Sequence, residues 1–360
     1  MISFGIGDPD QPTAPKMVQT LLEEAPKREH HGYPPYEGLY SFRKAVADYY
    51  GRRFDVALDP ESEVLTAIGS KEAISHLVWA YIEEGDVALV PDPAYPVYST
   101  QTRLAGGEVV TLPLRKDSGF LPDLEAVPEE AKRRAKLLFV NYPNNPTGAK
   151  ADLAFFEEAV RFARENDILL VSDAAYVEMS FSGHAPSVLE VPGAKDVAVE
   201  FYSLSKPFNM TGWRLAAMVG QRDAVKALGI LKSNTDSGQF AAIQKAGEMA
   251  LTYQPEAFIR LMNGLYIYRR DLLVEGLRKA GWDVPRPDAT FYVWAEAPGG
   301  DDVAFSEAML TTCGVLLTPG SGYGECGRGY VRLSLTVDES RIVEAVERIQ
   351  RAPSWLLSGR

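Results

Sequence analysis

One lysine, Lys206, lies inside Ser203-Leu-Ser-Lys-Pro-Phe-Asn-Met-Thr-Gly-Trp-Arg214, between apolar runs at 197–201 and 215–220. Each run has the length of a buried strand and is too short for an ordinary helix. The link between them is short, so the lysine is delivered to the end of a sheet rather than to a solvated face. Ser205 and Ser203 stand at −1 and −3, and Arg214 at +8. An amine held among apolar strands gives up its proton more readily than a surface lysine and becomes a nucleophile toward aldehydes. Hydroxyls and a guanidinium fork suit a phosphate. The segment therefore asks for a ligand that carries both an aldehyde and a phosphate.

Upstream, apolar runs alternate with amphipathic stretches. Helices are expected over 13–25, 39–52 and 153–166, and strands over 63–68, 87–91, 108–114 and 167–173. A further strand starts at Lys136, and a turn at 116–119 leads into a helix. This order predicts an α/β fold with a mostly parallel sheet between two layers of helices. Ligands bind such sheets beyond the carboxyl ends of the strands, and the chemically suggestive residues collect there. Gly69-Ser70-Lys71 opens a helix straight after a strand, where free N–H groups and the helix dipole favour an anion. Tyr95 follows the 87–91 strand, and Asn145 lies in the proline-rich turn Asn-Tyr-Pro-Asn-Asn-Pro-Thr-Gly148. Asp173 ends a fully apolar run, with Tyr176 three residues on. A carboxylate placed there is costly unless it is paired, so it binds a cation or does chemistry.

Downstream, helices are expected over 222–231 and 240–253, with a polar turn at 233–238 between them. A long helix over 256–280 bridges two domains. From Trp282 the texture changes to short strands, 290–296 and 330–335, with one amphipathic helix between them and another closing the chain. This is a smaller α+β domain. Arg332 alternates with apolar neighbours in its strand, so it points into a cleft or makes an ion pair. At 360 residues two domains are expected, a larger one over 13–268 and a smaller one made of 1–12 and 269–360.

Composition narrows the partners. A net charge of −12 argues against non-specific nucleic-acid binding. The two cysteines, Cys313 and Cys326, have no metal or redox spacing, and their scarcity fits a reducing, cytoplasmic setting. The four histidines form no ligand pattern, so no metal site is expected. No apolar run has membrane-spanning length and no signal peptide is evident, so no membrane association is expected.

The pattern Ser-x-Ser-Lys-x-x-x-x-x-Gly-x-Arg resembles the lysine segment of fold-type I pyridoxal phosphate (PLP) enzymes, the aspartate aminotransferase superfamily. Asn-Pro-Thr-Gly is similar to a signature of its aminotransferases. The resemblance runs collinearly from Gly7 to Arg332 and implies a seven-stranded sheet. It also implies a homodimer and transfer of an amino group from an L-amino acid to a 2-oxo acid by a ping-pong route. It assigns covalent attachment and proton transfer to Lys206, and the phosphate to Ser70, Lys71, Ser203, Ser205 and Arg214. Tyr95 would stack on the pyridine ring, Asp173 pair with its nitrogen, and Asn145 and Tyr176 reach its O3′. Arg332 would take the substrate carboxylate, with Gly7-Asp8-Pro9 passing over it. Tyr33, in Tyr-Pro-Pro-Tyr-Glu-Gly38, would reach the phosphate of the neighbouring subunit. Family members carry a helical arm before the Gly7 loop; here the arm is expected to be absent or removed.

The same fold and lysine also serve C–S β-lyases. A PLP-sensing regulator would need a DNA-binding domain, of which nothing is evident ahead of Gly7. Gly-Ile-Gly-Asp-Pro-Asp-Gln-Pro, Asp-Pro-Ala-Tyr-Pro-Val-Tyr and Ser-Asn-Thr-Asp-Ser-Gly-Gln-Phe resemble the diaminopimelate aminotransferases of lysine biosynthesis, acting on the free or N-succinylated compound with glutamate and 2-oxoglutarate. Lys71, Tyr36 and the Asn234 turn are then candidates for the distal end of a long substrate. Plant-type members carry glutamate where this chain has Tyr36, which replaces the charge partner of a distal amino group. A broad aspartate, alanine or aromatic aminotransferase is the alternative.

Overall fold

The computed structural model describes residues 1–358. Seven strands form the main sheet, in the spatial order Val64–Ala67, Ala216–Gly220, Ala198–Ser203, Leu169–Asp173, Ala135–Val140, Val87–Asp92, Glu108–Pro113. All run parallel except Ala216–Gly220, which is antiparallel to both neighbours. The exception has a simple cause. Parallel neighbours need a long crossover, usually helical, and the lysine link is too short and contains no α-helix. The chain therefore turns straight back, and the start of Ala216–Gly220 lies at the edge where the parallel strands end. Lys206 and Arg214 both reach that edge for this reason.

Residues along the central strands face two cores in turn. Leu138, Val140, Leu170 and Tyr202 pack with the helices Tyr40–Phe54 and Leu153–Glu165. Leu137, Phe139, Val171 and Phe201 pack with Ser70–Tyr81 and Arg222–Thr235. The period of two sets this alternation, and helix cover on both faces explains why the strands read as continuous apolar runs.

A second core gathers Leu273, Val274 and Leu277 of the long helix Pro255–Lys279 with Val293, Ala295, Val331 and Leu333. Here Thr318–Pro319, Tyr330–Ser334 and Tyr292–Glu296 make an antiparallel sheet, and Ile2–Ser3 pairs with Val315–Leu316. The N-terminal segment leaves this region and crosses to the lysine link. Thr13 Oγ1 donates to Asn209 O at 2.7 Å.

Two local expectations need correction. The helix Arg222–Thr235 takes in the first half of the expected polar turn at 233–238, because Ser233 Oγ, Asn234 Nδ2 and Thr235 Oγ1 donate back to Ile230 and Leu231 carbonyls. The side chains thus stay helical instead of breaking the ladder. Val97–Leu104 is a helix that the aromatic and proline-rich 92–98 segment hid. Among the described residues no helix is long and apolar enough to cross a membrane.

Candidate active site

A cavity of about 630 Å³ opens where the carboxyl edge of the main sheet meets the small sheet. Ser70, Lys71, Tyr95, Asn145, Asp173 and Tyr176 line it. So do Ser203, Ser205, Lys206, Arg214, Arg332 and Gly7. Five separate strand ends and the N-terminal segment thereby converge on one space.

Lys206 Nζ donates to Gly7 O at 2.8 Å and lies 5.5 Å from the Phe291 ring centroid. Burial lowers its pKa to about 8; the Asp8 charge opposes this, and the Arg332 and Arg214 charges add to it. The amine is therefore far closer to a free nucleophile than a surface lysine. The turn behind it is held by Gln239, whose Nε2 donates to Trp213 O and Arg214 O at 2.7 and 2.6 Å. Arg214 itself adopts φ 54°. Its guanidinium lies against the backbone at Gly69, where a Cβ would stand 2.2 Å from Nη2. Gly69, at φ 80°, has both the conformation and the close approach that exclude a side chain. Beside it, the buried Ser70 Oγ has no partner among the described residues.

Asp173 is buried at the end of its strand. Tyr98 OH donates to Oδ2 at 2.7 Å, whereas Oδ1 has no partner among the described residues. Burial raises the carboxyl pKa to about 6, opposed by hydrogen bonds from Tyr98 and the Ala175 N–H. Asn141 braces the floor: Nδ2 donates to Asp173 O at 2.6 Å, and Oδ1 accepts from Asn145 N at 2.9 Å.

On the opposite wall Arg332 is 6% exposed. Nη1 donates to Asn145 Oδ1 and Nη2 to Gly5 O, both at 2.8 Å, and Nε has no partner among the described residues. The guanidinium sits 4.1 Å from the Tyr292 ring centroid and 4.9 Å from that of Tyr323. Tyr292 OH and Tyr176 OH are 2.9 Å apart. Rings and carbonyls fix this cation while no carboxylate of the described chain pairs with it, so it is prepared for an anion from outside. The Gly5 carbonyl comes from a tethered segment. Arg269 holds Asp10 with both terminal nitrogens, at 2.6 and 2.8 Å.

PLP fits these residues. The unpartnered Asp173 Oδ1 suits a ring N–H, and the unpartnered Ser70 Oγ and Arg214 suit a phosphate. Lys206 suits the aldehyde, and Tyr95, on the wall with its ring 6.0 Å from Lys71 Nζ, suits the ring face. A metal is not needed to explain the neighbouring cluster of Glu72, His76 and Asp236. Lys232 Nζ already lies 3.2 Å from Glu72 and 3.0 Å from Asp236, so the chain supplies its own cation there.

Three candidates fall outside this cavity. Tyr33 is 88% and Tyr36 47% exposed, and neither lines it. Asn234 caps its own helix instead of facing a ligand. The sequence reading overlooked Tyr98, Asn141, Tyr292 and Tyr323. Tyr98 and Asn141 stand within segments already singled out. Their spacing to Tyr95 and Asn145 was a usable signal, since positions three or four apart lie on one side of a turn. Nothing in the sequence links Tyr323 to Arg332.

Comparison with known proteins agrees with this geometry. Residues 1–349 match the family model described as aminotransferase class I and II. The LL-diaminopimelate aminotransferase of Moorella thermoacetica is 52% identical over 353 residues, covering 98% of this chain and 90% of that protein. Among solved structures, apo-BacF from Bacillus subtilis superposes with a TM-score of 0.95 at 38% identity, over 98% of this chain and 95% of that one. A probable N-succinyldiaminopimelate aminotransferase from Thermus thermophilus gives 0.92 at 37% identity, over 98% and 95%. A lysine, a buried carboxylate and an unpaired arginine around one cavity are what transamination requires, and the chain belongs to the class I and II aminotransferases, which depend on PLP.

Proposed function

We propose that this enzyme acts on diaminopimelate or its N-succinyl form, with glutamate and 2-oxoglutarate as the other amino donor and acceptor, in a ping-pong cycle within a cytoplasmic homodimer. The observation that carries the reading is Arg332, a buried guanidinium with no carboxylate partner in the described chain, facing the same cavity as Lys206. The 52% identity to an LL-diaminopimelate aminotransferase supports the substrate class. Lys71 lines the cavity and forms no ion pair among the described residues, so it is a candidate for the distal carboxylate.

When bound, PLP supplies an aldehyde that takes up amino groups and a ring that accepts the electron pair released at Cα. Lys206 Nζ, lowered toward neutrality by burial, takes the proton from the substrate Cα. Asp173 Oδ1 would accept from a protonated ring nitrogen, and Asn145 and Tyr176 would serve the ring hydroxyl. Ser70, Ser203, Ser205 and Arg214 would hold the phosphate, with Tyr33 of the second subunit, and Tyr95 would lie against the ring; Lys71 is left for the distal carboxylate. Arg332 clamps the substrate carboxylate in a bidentate pair and orients the Cα–H bond, while Gly7 closes the loop above it. We also place the domain boundary near residue 268, within the long helix, with residues 1–12 in the smaller domain. The separate apolar core around 273–277 and the 292–296 and 330–334 strands supports this division.

A comparison of kcat/KM across diaminopimelate, N-succinyldiaminopimelate, glutamate, aspartate, alanine and phenylalanine tests the substrate. The two lysine-pathway compounds and glutamate should lead. If alanine or phenylalanine leads by tenfold, a preference of about 1.4 kcal/mol in the transition state, the substrate reading fails and the broad aminotransferase replaces it.

A further inference from the structure

We propose that Tyr98 is the positioning residue of the site: its hydroxyl holds one oxygen of the Asp173 carboxylate so that the other is presented in a fixed direction to the cavity. This rests on the reading that Asp173 faces the ring nitrogen of PLP.

The carboxylate has little else to hold it. The Asp173 backbone is pinned from below, by Asn141 at its carbonyl and by strand pairing with Phe201. That pinning does not fix the side chain, on which the Ala175 N–H is the one backbone donor. Tyr98 OH is the only side-chain donor to the carboxylate among the described residues. The phenol cannot wander, because the Tyr98 ring is fully buried and stacked on Phe139 with centroids 4.9 Å apart. Its other neighbour is Tyr95, met edge-on at 6.0 Å and 86°. One ring therefore braces both the carboxylate under the cavity and the aromatic wall beside it. A hydrogen bond from a phenol to an ionised carboxylate is charge-assisted and stronger than a neutral one.

The same bond sets the charge of Asp173. Burial drives the carboxyl toward its neutral form, and the Tyr98 and Ala175 donors resist it. The other titratable groups facing Asp173 are the Tyr95 and Tyr176 phenols, both pushed up by burial and so uncharged. The turn beyond the flanking Ala198–Ser203 strand presents Lys206 and Arg214 to the same cavity, and the neighbouring Asn141 and Phe201 do not titrate. No cation of the described chain pairs with the carboxylate. Removing the Tyr98 hydroxyl must therefore move the Asp173 midpoint upward.

Tyr98→Phe tests this, since it keeps the ring and both of its aromatic contacts. In the cofactor-free full chain, the Asp173 carboxyl is titrated by infrared difference spectroscopy, with Asp173→Asn identifying the band. The midpoint should rise by about one pH unit or more, the worth of a hydrogen bond to a charged group. In the holoenzyme the acid limb of the kcat profile should move up with it, while KM for the amino donor stays within twofold because Arg332 is untouched. A folded Tyr98→Phe with unchanged midpoint and unchanged profile overturns the inference, as does a fall in melting temperature with neither shift. Asp173→Asn separates the two readings. If that variant keeps wild-type kcat, the assignment of Asp173 fails; if it loses activity while Tyr98→Phe changes nothing, only the role of Tyr98 fails.

Discussion

Lys206 shows how a functional side chain costs stability. It titrates near 10.5 when unfolded and near 8 when folded, chiefly because burial disfavours its charged form. Between those values the unfolded chain holds the extra proton, so stability rises with pH across the window. Below pH 8 the cost is fully present, about 3 kcal/mol at roughly 1.4 kcal/mol per pH unit. Replacement by methionine removes that cost but strands the Gly7 carbonyl, which offsets about 1 kcal/mol. Lys206→Met should therefore stabilise the cofactor-free protein by about 2 kcal/mol at pH 7 and abolish transamination. The gain should shrink between pH 8 and 10.5. Urea unfolding at several pH values checks it; a destabilised variant at pH 7 would contradict the burial argument.

Among the elements, the strand-to-helix turn at Gly69 is the proposed phosphate cradle. Val64–Ala67 ends, Gly69 takes φ 80°, and the helix Ser70–Tyr81 begins with its N–H groups facing the cavity. Glu72 stabilises the turn by accepting from Ile68 N at 2.9 Å, and Lys232 ties Glu72 to the end of the helix Arg222–Thr235. A methyl group at Gly69 would meet both a strained backbone and the Arg214 guanidinium. At φ 80° and ψ 152° Gly69 occupies backbone space essentially reserved for glycine, which costs another residue about 1–3 kcal/mol, and displacement of Arg214 would weaken the proposed phosphate grip. Gly69→Ala should raise the Kd for PLP at least about tenfold, with a modest loss of melting temperature, as read by absorbance titration. Wild-type affinity in this variant would remove the turn from the phosphate site.

At the scale of the whole molecule, two sheets share one cleft, and the N-terminal segment straps them together. Ile2 pairs with Val315, Asp10 with Arg269, and Thr13 with Asn209 beside the lysine. Gly5 and Gly7, in the middle of the strap, supply the carbonyls that meet Arg332 and Lys206. Tyr33, by contrast, is 88% exposed and does not line the cavity. In the proposed homodimer it reaches the partner's phosphate. Light scattering should give twice the 39.6 kDa chain mass, and Tyr33→Ala should weaken PLP binding without lowering the melting temperature. A fully active monomer would defeat the dimeric site.

The sequence alone determined the layered α/β fold, because continuous apolar runs separated by amphipathic stretches can only be buried between helices. It also singled out Lys206, Asp173, Asn145 and Arg214, chemically expensive residues at the borders of such runs, which the fold gathers around one cavity. Tertiary structure alone decided the rest. The antiparallel return of Ala216–Gly220 puts Arg214 beside Gly69, about 145 residues away in the chain. Arg332 is fixed by Gly5, Asn145, Tyr292 and Tyr323, drawn from four separate segments. Tyr98 meets Asp173 through a helix that its aromatic, proline-rich sequence disguised. Patterning reports how much of an element is buried and on which face. The partner of a buried polar group depends on contacts between distant segments, and no local pattern encodes those.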